Sequence, residues 1–208
     1  MFAYCLNNPV NFEDTVGSSA EVCFAEEPYV QVYGQRSAIS VSIYNQSVYI
    51  EAYMTFHGDI SPTSLIAGIK QYWEGTYANG TYTYNVFVTV HLGNSENGNT
   101  IDVYAYNDNF RGYCTWNPFT WSSTKESTIR ISSNYYSSTP YTWTIAHEFG
   151  HSLGVSDYYT QDGKTGFDKK FSSIMNAPGN HANFYDVLKV IDASRYSIRQ
   201  KWHCVGGM

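Results

Sequence analysis

Residues 147–157 read HEFGHSLGVSD. Two histidines four positions apart stand side by side only if the backbone is helical through them, because i and i+4 project one above the other on an α-helix. His147 and His151 then offer two imidazole nitrogens to one metal ion. Glu148 is turned by about 100° round the helix from His147. From there its carboxylate reaches a water held by the metal without becoming a ligand, and two neutral nitrogens plus a glutamate base make a hydrolytic zinc site. Gly154 supplies the stop, since glycine ends a helix in a left-handed conformation that other residues resist. The chain then doubles back and brings residue 157, an aspartate, to the metal. Eighteen residues beyond Asp157, Met175 lies in a run of small residues, SSIMNAP (172–178), which predicts a turn. A methionine is ordinarily core filler, but one in such a turn after H-E-x-x-H-x-x-G is seldom incidental.

The elements around this stretch follow from periodicity. SVYIEAYMTF (47–56) alternates as a strand does. Ser61 and Pro62 open a helix, with Leu65, Ile66, Ile69, Tyr72 and Trp73 on one face and Gly75 ending it. TYTYNVFVTVHL (81–92) is a strand that puts Tyr82, Tyr84, Val86, Val88, Val90 and Leu92 on one side. TIDVYAY (100–106) and STIRISS (127–133) are further strands. The segment 113–121 carries Pro118, which suits an edge strand or loop. The helix over the histidines begins near Pro140, and a last helix places Phe184, Val187, Leu188 and Ile191 on one face. Strands, helix, strands, helix in this order predict an α/β fold with a twisted mixed, mostly parallel sheet, an active-site helix and a C-terminal helix.

Length and charge narrow the partners. A chain of 208 residues fits one domain with a core of its own. The expected division is an N-terminal extension over 1–27, an upper part over 28–155 and a lower part over 156–208. The net charge is −6 and basic residues never cluster beyond the pair Lys169–Lys170, so no nucleic-acid partner is expected. No apolar run approaches the twenty or so residues of a membrane span. Four cysteines, none spaced C-x-x-C, in a Tyr-rich chain read as two disulfides of a secreted protein. Three pairings exist, and Cys5–Cys23 with Cys114–Cys204 is the expected one; buried free thiols are the alternative. The first thirty residues lack a basic segment followed by an apolar run. The expectation is a chain that starts after a removed secretion signal, working outside the cell as a monomer.

His147, Glu148, His151, Gly154, Asp157 and the turn around Met175 together resemble the metzincin metallopeptidases over roughly residues 143–178. Most metzincins carry histidine where this chain has Asp157. The aspartate-ended variant is similar to the snapalysin group of small secreted neutral proteases, which has a tyrosine two positions later, where Tyr159 stands. The resemblance implies a zincin-like single domain, one catalytic Zn2+ held by His147, His151 and Asp157, Met175 as the structural turn methionine, and peptide or protein as substrate. The substrate would lie extended along an edge strand, as peptides do when they add to a sheet. It also places Tyr159 where its hydroxyl would donate to the developing oxyanion; the alternative is a tyrosine that only packs.

Other residues fit a third-ligand role less well. No glutamate follows Glu148, which closes the plan that draws one from a later helix. Asp162, Asp168, His181, Asp186, Asp192 and His203 lack the motif spacing. Asp162 and Asp168, in QDGKTGFD (161–168), read as a solvated turn, with calcium as a secondary ligand. His57 and His91 sit at strand ends in structural roles. Two functions of another kind fit the same residues: a catalytically inactive binding module that keeps the fold, and a zinc amidase that does not act on proteins.

Overall fold

The computed structural model describes residues 12–13, 21–22, 29–32, 38–96, 98–109, 112–115, 128–134, 139–155, 157–158 and 172–196. Cys5, Cys23, Cys204, Tyr159, Asp162, Asp168 and His203 lie outside them, and with them the expected disulfides, the secondary calcium ligands and the oxyanion donor.

The frame is one α/β domain with a curled mixed sheet and three helices. Its strands are β3 (Tyr29–Val32), β4 (Ile39–Tyr44), β5 (Ser47–Gly58), β6 (Gly75–Ala78), β7 (Thr83–Leu92), β8 (Ile101–Tyr106), β9 (Tyr113–Thr115) and β10 (Thr128–Ser132). A separate ribbon pairs β1 (Phe12–Glu13) with β2 (Glu21–Val22). The helices are α1 (Pro62–Trp73), α2 (Tyr141–Ser152) and α3 (Phe184–Tyr196). Strand order is β3-β4-β5-β8-β10-β9, with β7 on β5 and β6 on β7.

β5 organises the sheet because it is long enough for three partners. It runs antiparallel to β4 over Ser47–Ala52, parallel to β7 over Ser47–Met54, and parallel to β8 over Met54–Gly58. β8 and β10 are also parallel, while β9 turns antiparallel at the edge. The centre is therefore parallel and the rims are antiparallel, where a mostly parallel sheet was expected. The difference lies in two hairpins. β4 reaches β5 through Asn45 and Gln46, both left-handed at φ 48° and 60°, the two-residue turn that matches strand twist. β6 leaves α1 at Gly75 and folds straight back along β7.

Alternation divides the sheet's faces. Val48, Ile50, Ala52 and Met54 point into the core, as do Tyr84, Val86 and Val88, and Ile129 and Ile131. The outer face carries cross-strand ring pairs: Tyr49 on Phe87 at 5.3 Å between centroids, Tyr53 on His91 at 4.7 Å, and His57 on Tyr104 at 4.7 Å. His57 Nε2 also lies 3.1 Å from Asp102 Oδ1. Both strand histidines are thus occupied by packing.

On the inner face α1 packs against α2 and β7, and α2 against β9 and β10. Gly68 lets the helices touch: a Cβ there would stand 2.7 Å from the Thr142 carbonyl oxygen. Trp73 Nε1 donates to the Ala146 carbonyl at 2.8 Å, which fixes α2 along its axis and in rotation. α3 packs across β3, β4, β6 and β7. Its start is a capping box: Asn183 Oδ1 accepts from the Tyr185 and Asp186 N–H groups, and Asp186 Oδ2 accepts from the Asn183 N–H. Among the described residues no helix is long and apolar enough to cross a membrane.

Candidate metal centre

The last turn of α2 ends as the sequence predicts. Gly154 takes φ 97°. Its N–H donates to the His151 carbonyl at 3.0 Å, and the Val155 N–H reaches the Gly150 carbonyl at 3.0 Å. These two bonds are the Schellman pattern, which satisfies carbonyls the helix leaves open and reverses the chain. The reversal has a second effect. It carries the Val155 carbonyl to 2.9 Å from His151 Nδ1. His147 Nδ1 has its own carbonyl, that of Ile174, at 2.9 Å.

A carbonyl oxygen can only accept, so each Nδ1 carries the proton and each neutral ring presents a bare Nε2. Both Nε2 atoms face Asp157 Oδ1, at 3.2 Å for His147 and 3.4 Å for His151. Oδ1 is fully enclosed and accepts no hydrogen bond. Three lone pairs thus converge, an arrangement that repels unless a cation sits among them. The spacing suits one. Tetrahedral bonds of about 2.0–2.1 Å put neighbouring ligand atoms roughly 3.3 Å apart. His147, His151 and Asp157 are the one group of three metal-binding side chains that converges among the described residues.

Without a cation, protons respond to the same crowding. Burial pushes the His151 imidazole toward neutrality, but the Asp157 and Glu148 carboxylates outweigh it and its pKa is raised. Burial raises the Asp157 carboxyl, yet the two facing imidazoles win and hold it well below the usual carboxylate range. A proton on His151 is thus the competitor of a metal ion here.

Packing behind the ligands is tight. The Trp143 ring stacks on His147 at 4.9 Å, and its Nε1 donates to the Asn180 carbonyl at 3.1 Å. Met175 is fully buried beneath α2. A Cβ on Gly150 would stand 2.5 Å from Met175 Sδ and 2.9 Å from Trp73 Cζ2, so any larger residue there would force the methionine or the indole to shift. The turn also holds the chain just after Asp157, since the Tyr158 N–H donates to the Met175 carbonyl at 3.0 Å. Glu148 is buried at 6 % exposure. Its Oε1 lies 3.4 Å from where a Cβ on Gly112 would be, so Gly112, just before edge strand β9, comes up beside this carboxylate.

Of the residues singled out from sequence, His147, His151, Asp157, Glu148 and Met175 come together. His181 does not; it is exposed and its ring lies against Tyr72 at 4.7 Å. Asp186 is fully buried, and its carboxylate is taken by Tyr158, Ser173 and Asn183. Three contributors were not anticipated as such: Trp143, Gly150 and Asp186. Only Asp186 had a local signal, the N-x-x-D spacing of a capping box over 183–186.

Comparison of the sequence with protein-family models and with curated proteins returns no match in either. The functional reading therefore stands on the geometry.

Proposed function

We propose that this chain is a secreted zinc-dependent endopeptidase of the metzincin type, in its aspartate-ligand, snapalysin-like form. The observation that carries the reading is the convergence of His147 Nε2, His151 Nε2 and Asp157 Oδ1, with each Nδ1 proton committed to a carbonyl. Orienting the far ring nitrogen in this way is what metal-ligating histidines do throughout proteins. Glu148 next to His147, Met175 under the helix and the antiparallel edge strand β9 are the other parts such an enzyme requires.

When bound, zinc would supply Lewis-acid polarisation of the scissile carbonyl and a more acidic water. The chain's own residues do the rest. Glu148, beside the ligands and shielded, takes the proton of the attacking water and returns it to the leaving amine, as a general base that becomes a general acid. β9 offers an edge along which an extended peptide can add main-chain hydrogen bonds. Gly112, just before β9 and without a side chain, lets the start of that strand come close beside Glu148. Asp157 sets the site's charge: two imidazoles and one carboxylate leave a divalent ion at a formal +1, which acidifies water less than three imidazoles would. More of the proton transfer then falls to Glu148.

The test is Glu148→Gln on a mixed peptide library. The wild type cleaves; the variant keeps its metal and fold and loses on the order of 10²–10⁴ in rate. Cleavage of small amides without peptides points to an amidase. Metal binding with no turnover in the wild type points to a binding module. Undiminished cleavage by the variant removes Glu148 from the mechanism.

A further inference from the structure

We infer that Asp186 is a positioning residue for the metal centre, setting two of its three ligands although it touches none of them. The inference rests on the metal-site reading above.

The Asp186 carboxylate is fully buried. Three groups donate to it in four contacts: Tyr158 Oη to Oδ1 at 2.9 Å, Ser173 Oγ to Oδ1 and Oδ2 at 2.9 Å each, and the Asn183 N–H to Oδ2 at 2.8 Å, with Ser173 sharing one proton between both oxygens. These donors belong to three separate stretches of chain. One follows the ligand Asp157, one is the turn of Met175, and one is the start of α3. A helix cap alone needs only the bond to Asn183. A capping aspartate has no need of a tyrosine from 28 residues away or a serine from 13 residues away.

Each extra bond ends beside a ligand. Tyr158 is bonded in the chain to Asp157. Its hydroxyl is held by Asp186 and its N–H by the Met175 carbonyl at 3.0 Å, so both ends of the residue after the ligand are pinned. Ser173 Oγ, while donating to Asp186, accepts from the Met175 N–H at 2.9 Å. That fixes the turn whose intervening residue, Ile174, gives the carbonyl that orients His147. Asp186 therefore acts on Asp157 through Tyr158 and on His147 through Ser173 and the Ile174 carbonyl. His151 is outside its reach, since the Schellman turn orients that ring through Val155. Outer partners of this kind are worth about 10- to 100-fold in metal affinity.

The experiment measures zinc affinity by chelator competition, the d–d spectrum of the Co2+-loaded protein, and metal-free thermal stability. It uses the wild type, Asp186→Asn, Tyr158→Phe and Leu188→Ala. Leu188→Ala thins the packing of α3 without entering the network, so it lowers Tm and leaves affinity and spectrum unchanged. Asp186→Asn is expected to weaken zinc about 10- to 100-fold and to alter the cobalt spectrum. Tyr158→Phe, which loses one hydroxyl and keeps the fold, moves both in the same direction by less. If Asp186→Asn does not fold, Tyr158→Phe decides alone. Wild-type zinc affinity and an unchanged cobalt spectrum in Tyr158→Phe, or in a folded Asp186→Asn, overturn the inference and leave the metal centre standing. A wild type that binds neither metal overturns the metal centre, and the inference with it.

Discussion

At the scale of single residues, the centre is built by groups that leave each other no other arrangement. Each Nδ1 proton is committed to a carbonyl, so each ring when neutral presents its lone pair at Nε2, and Asp157 Oδ1 meets both. Gly150 matters as much by what it lacks. Gly150→Ala adds a methyl group where Met175 Sδ and Trp73 already stand. Overpacking of this kind costs about 1–3 kcal/mol, which chemical denaturation of the metal-free protein will register together with weaker zinc binding. Equal stability would show that Met175 moves aside freely. The convergence of His147, His151 and Asp157 was legible in the sequence because helical spacing and a glycine stop are local rules. Gly150 was not, for its partner lies 25 positions on in a turn whose docking site no local rule reveals. In the sequence Asp186 is one of several spare acids, because its cap motif is local but its bonds to Tyr158 and Ser173 are not.

The elements show the same split. α1, α2, α3, β5, β7, β8 and β10 follow from apolar periodicity, and the reversal after α2 from Gly154. Here Gly154→Ala forces an ordinary residue to φ 97°, at roughly 1–2 kcal/mol. Relaxing that strain would undo the turn that presents Val155 to His151 and returns Asp157. The expected outcome is zinc affinity reduced more steeply than thermal stability; a variant with unchanged affinity would show that another path brings Asp157 round. The hairpins were harder to see. Asn45–Gln46 makes a left-handed two-residue turn without the glycine that usually marks one. Gly75 was read as the end of a helix, and it is also the first residue of β6. At Gly75 the end of a helix and the start of a strand fall together, and sequence periodicity registers only the stronger element. The metzincin resemblance covered the ligand segment and left these antiparallel rims unspecified.

For the molecule as a whole, the centre ties α2 to the reversed chain, so a bound metal ion would add to global stability, and would do so in a pH-dependent way. In the metal-free fold the raised pKa of His151 gives a contribution present below its unfolded value and lost as pH rises through the folded one. The depressed pKa of Asp157 gives a contribution present above its unfolded value and lost as pH falls through the folded one. Between these limits, a proton shared by His151 and Asp157 does part of the metal's work. Metal binding must displace it, so affinity falls at acid pH. The Tm gap between zinc-loaded and metal-free protein should therefore widen from pH 5.5 to 8. At a hundredfold excess of zinc over its Kd it should reach roughly 5–10 °C. A gap that narrows with rising pH would mean that the proton and the metal do not compete for this site.

Metal analysis of the purified chain bears most directly on the account, because everything above follows from three lone pairs meeting at one point. The protein is loaded with zinc, freed of excess, and assayed for metal per chain beside His151→Ala, Asp157→Ala and His181→Ala. One zinc is expected in the wild type and in His181→Ala, with most of it lost from His151→Ala and Asp157→Ala. Full zinc in both ligand variants, or none in the wild type, would contradict this.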